Sequence, residues 1–443
     1  MIKIVRVITA LIVRFGKQPV STAALCLNAA GTMLRHPARF GEIGKNINRI
    51  VVLGEEGHPL LKEPMLIKHA STFLVISTQY PKEGEEYRNM FIHRHVKLYE
   101  NYDVHADVFA YRHGNYLTEY EYEGVRVFEG DWGVLKELLK STEYATALIY
   151  FVTPEMMEAV EECGRDMARF IWLEGAGAEG WRRRSFEFTQ KEIQEQEVER
   201  DGADEEFMAF NRSIYSDRRN YFIPISRCMV EVATEDAGCE FANSQIIPNV
   251  IDGNLFDYEE KTPEMRKKFL SIRPYVGRKY GNDMMVETIL ELAEEPWFDE
   301  CTFTLFGDGK DFDATTAPLH QFSNVTLHRR FLSQPEIVEQ HKLHGIMLIP
   351  TRHDTQGVAM GEAMASGLVP ITNAVWAIPE FADEECAVLA PADDVSFMVE
   401  GIKKLYHDSE LFLKMSANAA ERARFQCGIN ETIRKEIELI TGH

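Results

Sequence analysis

The chain is short of positive charge, of cysteine and of long apolar runs, and each shortage narrows what it can be. Against 70 Asp and Glu it has 48 Lys and Arg, a net charge of −22. A surface built to neutralise nucleic-acid phosphates is therefore not expected. The seven cysteines, Cys26, Cys163, Cys228, Cys239, Cys301, Cys386 and Cys427, are scattered, odd in number and form no Cys-x-x-Cys pair. They read as thiols in a reducing compartment rather than as a disulfide framework. No His/Cys cluster has zinc spacing, and the close pair His341 and His344 reads as one helical face. No window reaches the ~20 apolar residues of a spanning helix; the best, Val7 to Val13, is bounded by Arg6 and Arg14, which also weighs against a secretory leader. No Gly-x-x-x-x-Gly-Lys-Ser/Thr loop is present, so P-loop ATP hydrolysis is not expected. Repeats and low-complexity tracts are missing as well.

What is present is a folded α/β pattern. A chain of 443 residues, 45% hydrophobic and 27% charged, fits two domains of roughly 150 to 250 residues. The first fifty residues stand apart: Lys3, Arg6, Arg14, Lys17, Arg35, Arg39, Lys45 and Arg49 face a single acid, Glu42. This segment, residues 1–65, reads as a basic helical extension that docks as a collar on the acidic body, or meets an anionic membrane surface or acceptor. An α/β series then starts at Ser71 to Thr78 and continues at Val104 to Tyr111, Ala147 to Val152 and Phe170 to Leu173. A second starts at Phe269 to Pro274 and continues at Cys301 to Phe306, Val325 to Leu327, Gly345 to Ile349, Leu368 to Thr372 and Ala387 to Leu389. Strands alternating with helices predict parallel, doubly wound sheets. The charged run Lys191 to Glu206 reads as a solvated helix face or loop.

The most informative stretch is Pro350 to Gly367. Gly345 to Pro350 reads as a buried parallel strand and Glu362-Ala363-Met364-Ala365 as a helix, so Asp354-Thr355-Gln356-Gly357 lies at a strand's carboxyl end. Open α/β sheets bind ligands there. Gly357 and Gly361 permit close backbone approach, and the free N–H groups of a helix start attract phosphate or hydroxyl. Asp354 and Glu362 flank that pocket.

Four motifs in order, Ile247-Pro248-Asn249 ahead of Asp252 and Phe256, Arg273 with Lys279, Gly307-Asp308-Gly309, and Asp354 to Gly367, make the second half resemble the donor-binding domain of the retaining glycosyltransferases of family four. The resemblance is strong over residues 245–443 and weaker over 66–245. It implies a GT-B fold: an acceptor-side Rossmann-like domain (66–250), a donor-binding one (251–425), and a carboxyl-terminal helix (426–443) crossing back to the first. It implies that Arg273 and Lys279 hold the donor's diphosphate, that Glu362 holds ribose hydroxyls, and that Asp354 stands beside the transferred sugar. Gly84, Gly307, Arg330, Thr355, Gln356, Gly357 and Val358 join them as donor-binding residues. Two acceptor-side departures accompany the match. The first loop, Lys82 to Tyr87, offers Gly84 alone where the family has a glycine pair, and Glu174 replaces a histidine, with Gly175 and Trp181 nearby. Asp354 is itself one methylene shorter than the family's glutamate.

The implied function is transfer of a sugar from a nucleotide diphosphate donor to a glycan or glycolipid acceptor with retention, in cell-surface polysaccharide assembly. No cofactor or essential metal is implied; the Asp311-Phe312-Asp313 triplet follows a glycine turn in a domain that meets phosphate with Arg and Lys. The alternatives are a catalytically weakened GT-B binding subunit and a nucleotide-sugar epimerase. A cytoplasmic protein is expected, with residues 1–60 as its contact to the inner membrane face.

Overall fold

The computed structural model describes residues 71–85, 88–175 and 177–442; the basic segment 1–65 and Cys26 lie outside them. In chain order the elements are β1 (Phe73–Ser77), α1 (Met90–Tyr99), β2 (Ala106–Tyr111), β3 (Thr118–Tyr122), β4 (Val125–Gly130), α2 (Trp132–Ser141), β5 (Thr146–Tyr150), α3 (Pro154–Glu161), β6 (Ala168–Leu173), α4 (Gln190–Tyr215), β7 (Asn220–Pro224) and α5 (Arg227–Ala237). There follow β8 (Lys268–Ile272), α6 (Asn282–Leu292), β9 (Thr302–Gly307), α7 (Phe312–Thr316), β10 (Val325–Arg329), α8 (Gln334–Leu343), β11 (Ile346–Leu348), α9 (Val358–Ala365), β12 (Val369–Asn373), α10 (Ile378–Phe381), β13 (Val388–Ala390), α11 (Val395–His407), α12 (Ser409–Cys427) and α13 (Ile433–Thr441). Among the described residues no helix is long and apolar enough to cross a membrane.

The chain divides into two compact units. One takes Ala106–Ala145, Glu155–Met167 and the described residues up to Gln79; the other takes Tyr80–His105, Thr146–Pro154 and the chain from Ala168 onward. In the first, the strand order is β3-β4-β2-β1, parallel except for the β3–β4 hairpin. That hairpin turns on Glu123 (φ 47°) and Gly124 (φ 84°), the two positive φ angles of the tight turn that matches strand twist. In the second, β5-β6-β7 run parallel, and a six-stranded sheet has the order β10-β9-β8-β11-β12-β13, every pairing parallel.

Each strand read from the sequence is present within a few residues, and the α/β class is the observed one. Three further strands escaped. β3 alternates Glu with Tyr and Thr and leaves Glu119 and Glu121 exposed, so it lacks an apolar run. β4 is its hairpin partner, and β7, Asn-Tyr-Phe-Ile-Pro, opens on a polar residue and ends in a proline. The charged run at Lys191 to Glu206 is part of α4, whose start is fixed by a reciprocal cap between Thr189 and Glu192.

The six-stranded sheet is covered on both faces, which is why its strands read as unbroken apolar runs. Phe303, on β9 beside the edge strand β10, is fully buried, stacked on Phe269 at 4.7 Å and packed beside Phe298 at 5.4 Å between ring centroids. Phe303→Ala should cost about 3–5 kcal/mol by transfer loss plus cavity, read as a lower urea midpoint at unchanged slope; an unmoved midpoint would mean the sheet is not held by this stack.

Candidate functional site

The strand order of the six-stranded sheet reverses between β8 and β11. Connections leave these neighbours in opposite directions, so the space beyond their carboxyl ends stays open to a ligand. The chain puts Arg273 directly after β8 and Thr351 to Gly357 directly after β11. Arg273 is buried. Its guanidinium donates to the carbonyls of Pro350 (3.1 Å) and Tyr280 (3.3 Å) and lies over the Tyr280 ring. Burial draws its pKa below the ordinary arginine value, and the charge of Asp354 acts against that. The cation is thus held by backbone dipoles, and its Nε has no protein partner.

Lys279 lies half-buried six residues on. Its carbonyl accepts the N–H of Arg352 (3.0 Å) and the hydroxyl of Thr351 (3.1 Å), which ties the loop after β8 to the loop after β11. Gly307 makes this packing possible. A Cβ there would stand 1.9 Å from the Arg273 carbonyl oxygen and 2.7 Å from the Tyr275 ring, so only glycine fits.

The loop after β11 is set by Asp354. Its carboxylate accepts the N–H groups of Gly357 (2.6 Å) and Gln356 (3.2 Å), and so closes the turn into α9. Gly357 takes the left-handed conformation there, at φ 81° and ψ 56°. Val358 begins the helix, and one turn later Glu362 is buried. Its carboxylate is already engaged: Arg94, from α1, donates to it at 2.6 Å. Arg94 is buried too, also reaches Gln334 of α8 and lies over the Phe256 ring.

The acceptor-side expectations divide. Glu174, immediately after β6, accepts from the Asn249 side chain at 2.9 Å. Asn249 in turn is gripped by Gln356, which takes its N–H at 2.7 Å and gives a side-chain N–H to its carbonyl at 2.9 Å. Gly175 lies against Thr355, whose methyl would be 3.3 Å from a Cβ placed on the glycine. Glu174, Gly175, Thr355, Gln356 and Asp354 therefore form one connected group. Trp181 does not join it; its indole N–H goes to Asp201 of α4 (2.8 Å) and its backbone N–H to Asp204 (3.0 Å). Arg330 is exposed and paired with Glu336 at 2.8 Å. Gly84 sits in the turn closed by the Glu85 N–H on the Lys82 carbonyl, at φ 81°. The Asp311 and Asp313 carboxylates are spent on the Gly277 N–H and on Arg329.

Four side chains at this site had no signal in the sequence. Arg94 meets Glu362 across 268 positions, a separation no local pattern reveals. Glu187 accepts the backbone N–H groups of Arg278 (3.1 Å) and Lys279 (3.0 Å), so a carboxylate rests on the loop that also presents Arg273 and Lys279. Glu179 and His353 form a buried pair, with His353 Nε2 donating at 2.7 Å, and the His353 ring packs on Trp376 at 3.9 Å. His353 lies inside the Pro350 to Gly367 stretch, but a lone histidine there carries no pattern. Among the described residues, no group of three His, Cys, Asp or Glu side chains could hold a metal ion.

Residues 267–408 match the family described as glycosyl transferases group 1. None of the curated proteins matches the chain in sequence. Among solved structures, sucrose-phosphate synthase from Thermosynechococcus elongatus is similar with a TM-score of 0.64 at 13% identity, over 84% of this chain and 98% of that one. A glycosyltransferase from Rickettsia africae gives 0.61 at 10% identity, over 84% and 98%. Anabaena HepE, solved with UDP and glucose, gives 0.61 at 13% identity, over 84% and 100%. At such identities the likeness is one of fold. Residues 267–408 are therefore a glycosyl transferases group 1 domain, and the chain that carries them has the GT-B fold its motifs implied.

Proposed function

We propose that this glycosyltransferase moves a sugar from a nucleoside diphosphate sugar to a glycan or glycolipid acceptor, with retention at the anomeric carbon, in the assembly of a cell-surface polysaccharide. The observation that carries the reading is the meeting of Arg273, Lys279, Asp354 and α9 beyond the carboxyl ends of β8 and β11, where the strand order reverses. Charge grows on the diphosphate as its bond to the sugar breaks, and preorganised donors favour that state over the ground state. Arg273 and Lys279 supply the charge, and the start of α9 supplies N–H groups with a positive dipole end. Glu362 takes the ribose hydroxyls on its remaining acceptor capacity, with Arg94 holding its orientation. Asp354 shapes the turn beside the sugar. No protein nucleophile is assigned: the leaving phosphate oxygen takes the acceptor's proton on the face where attack occurs, and the protein orients the partners. The complex of HepE with UDP and glucose supports a uridine donor as the first to try. The basic segment 1–60 is the proposed contact to an anionic membrane, and the protein acts in the cytoplasm.

Three outcomes test the reading. Lys279→Ala should lower transfer by roughly 10² to 10³, the usual loss of one charge-stabilising donor, and undiminished turnover would remove the lysine from the mechanism. Glu362→Gln should weaken UDP binding in calorimetry. The truncation Glu362→Ala should in addition destabilise by about 3–5 kcal/mol, because it strands the buried Arg94; UDP affinity equal to the parent's in the Gln variant would refute the ribose role. Glu187 competes with an incoming anion for the Arg278 and Lys279 amides, so Glu187→Ala should tighten UDP binding by about fivefold, roughly 1 kcal/mol. Equal or weaker binding would show that the carboxylate orders the loop instead.

A further inference from the structure

The loop between β12 and α10 holds a residue whose backbone is out of character for its side chain. Trp376 has φ 52°, in the left-handed region. Among the described residues six non-glycine positions share that region, and Asn89, Asp103 and Asp393 are of the short polar kind that enters it readily. A bulky aromatic residue persists there only where its surroundings over-determine it, and such positions gather at ligand sites. The surroundings of Trp376 do so. The Ala374 N–H donates to the Ala390 carbonyl (2.7 Å), Val375 to Asn373 (2.9 Å), Ile378 to Val375 (3.1 Å) and Ala377 to Asp354 (3.1 Å). The Asn373 side chain adds a clamp: it accepts from the Thr351 N–H at 3.0 Å and donates to the Pro391 carbonyl at 2.9 Å. The bonds to Asp354 and Thr351 lock the left-handed residue to the loop after β11.

The indole lies against that same loop. Its ring centroid is 3.9 Å from that of His353, with 50° between the planes. His353 gives it a firm backing, because the imidazole is buried, bonded to Glu179 at 2.7 Å and flanked by the Phe186 ring at 6.2 Å. The indole itself stays half-buried. Packing for stability alone would favour full burial at an unstrained φ. A fixed, partly open ring on the residue next to Asp354 instead suits a ligand with an apolar flank. A pyranose has one, since the C–H bonds on a face of the ring can rest on an aromatic surface while the hydroxyls stay at the edge. Arg273 and Lys279 answer the diphosphate and Glu362 the ribose, so the ground next to Asp354 falls to the sugar. Resting on the glycosyltransferase reading above, we propose that Trp376 is a specificity-determining residue: its indole, backed by His353, walls the donor-sugar pocket and stacks on the apolar face of the transferred pyranose. The wall therefore acts on the sugar and leaves the nucleotide's affinity to other groups.

The test uses the full chain and calorimetry with UDP, UDP-glucose, UDP-galactose and UDP-N-acetylglucosamine as probes. For the UDP-sugar that the parent binds best, Trp376→Gly should weaken binding by about tenfold while UDP affinity stays within about twofold. Trp376→Phe, which keeps a ring, should hold the sugar's affinity within about threefold of the parent's. A ratio of UDP-sugar to UDP affinity that is the same in Trp376→Gly and the parent for all three sugars overturns the proposal. So does an equal loss of UDP and UDP-sugar binding, which marks a residue that only holds the loop. Failure of the parent to bind UDP strikes the glycosyltransferase reading and the proposal with it, whereas UDP binding with an unchanged ratio strikes the proposal alone. A second readout needs no ligand. Glycine takes the left-handed conformation without a Cβ penalty, so Trp376→Gly should melt about 2 °C above Trp376→Ala. An alanine variant that melts as high or higher would show an unstrained backbone and overturn the proposal.

Discussion

Everything at the candidate site depends on one topological constraint: β8 and β11 are neighbours whose following connections depart in opposite directions. Backbone at their carboxyl ends is left without a covering crossover, and the sequence fills the gap with groups that cannot be buried without partners. Arg273 shows the consequence. It is a buried cation with backbone carbonyls for partners, and the opposing charge of Asp354 acts on it. Such a cation is costly where it stands, and an arriving polyanion would relieve it.

A second constraint comes from pairing across long sequence separations. Arg94 on Glu362, His353 on Glu179 and Asn249 on Gln356 each tie the loops of the six-stranded sheet to elements elsewhere in the same unit. Buried pairs of this kind contribute little net stability but punish loss of either partner. They fix geometry more than they add strength. The loop after β11 is therefore held from both directions: Asp354 closes the turn from within, while Gln356 and Glu362 are gripped from outside.

The same logic separates residues that shape the site from those that merely lie near it in sequence. Trp181, Arg182 and Arg183 are absorbed by the acids of α4 and α5, and Arg330 by Glu336. Asp311 and Asp313, which spell a metal-binding triplet, serve Gly277 and Arg329. In an acidic chain most surface cations find a nearby carboxylate, so a motif made of one cation or two acids is weak until its partners are known.

Most features with a short period or a short span were legible in the residues alone. The parallel strands announced themselves as apolar runs because both sheet faces are covered. The turn from Asp354 to Gly357 was legible because a capping acid, a left-handed glycine and a helix start must follow one another closely. The edge strand β3, with Glu on its outward positions, and β7, bounded by Asn and Pro, lacked that signal. Which charges meet was set by packing between distant segments. Arg94, Glu187, His95 and Glu436 sit in ordinary helical or loop sequence, and Glu436 reaches His95 across 341 positions. Chain topology sets such contacts, and no local pattern encodes them. The carboxylates Glu362 and Glu174 stand where local sequence puts them, and the fold alone supplies their partners Arg94 and Asn249.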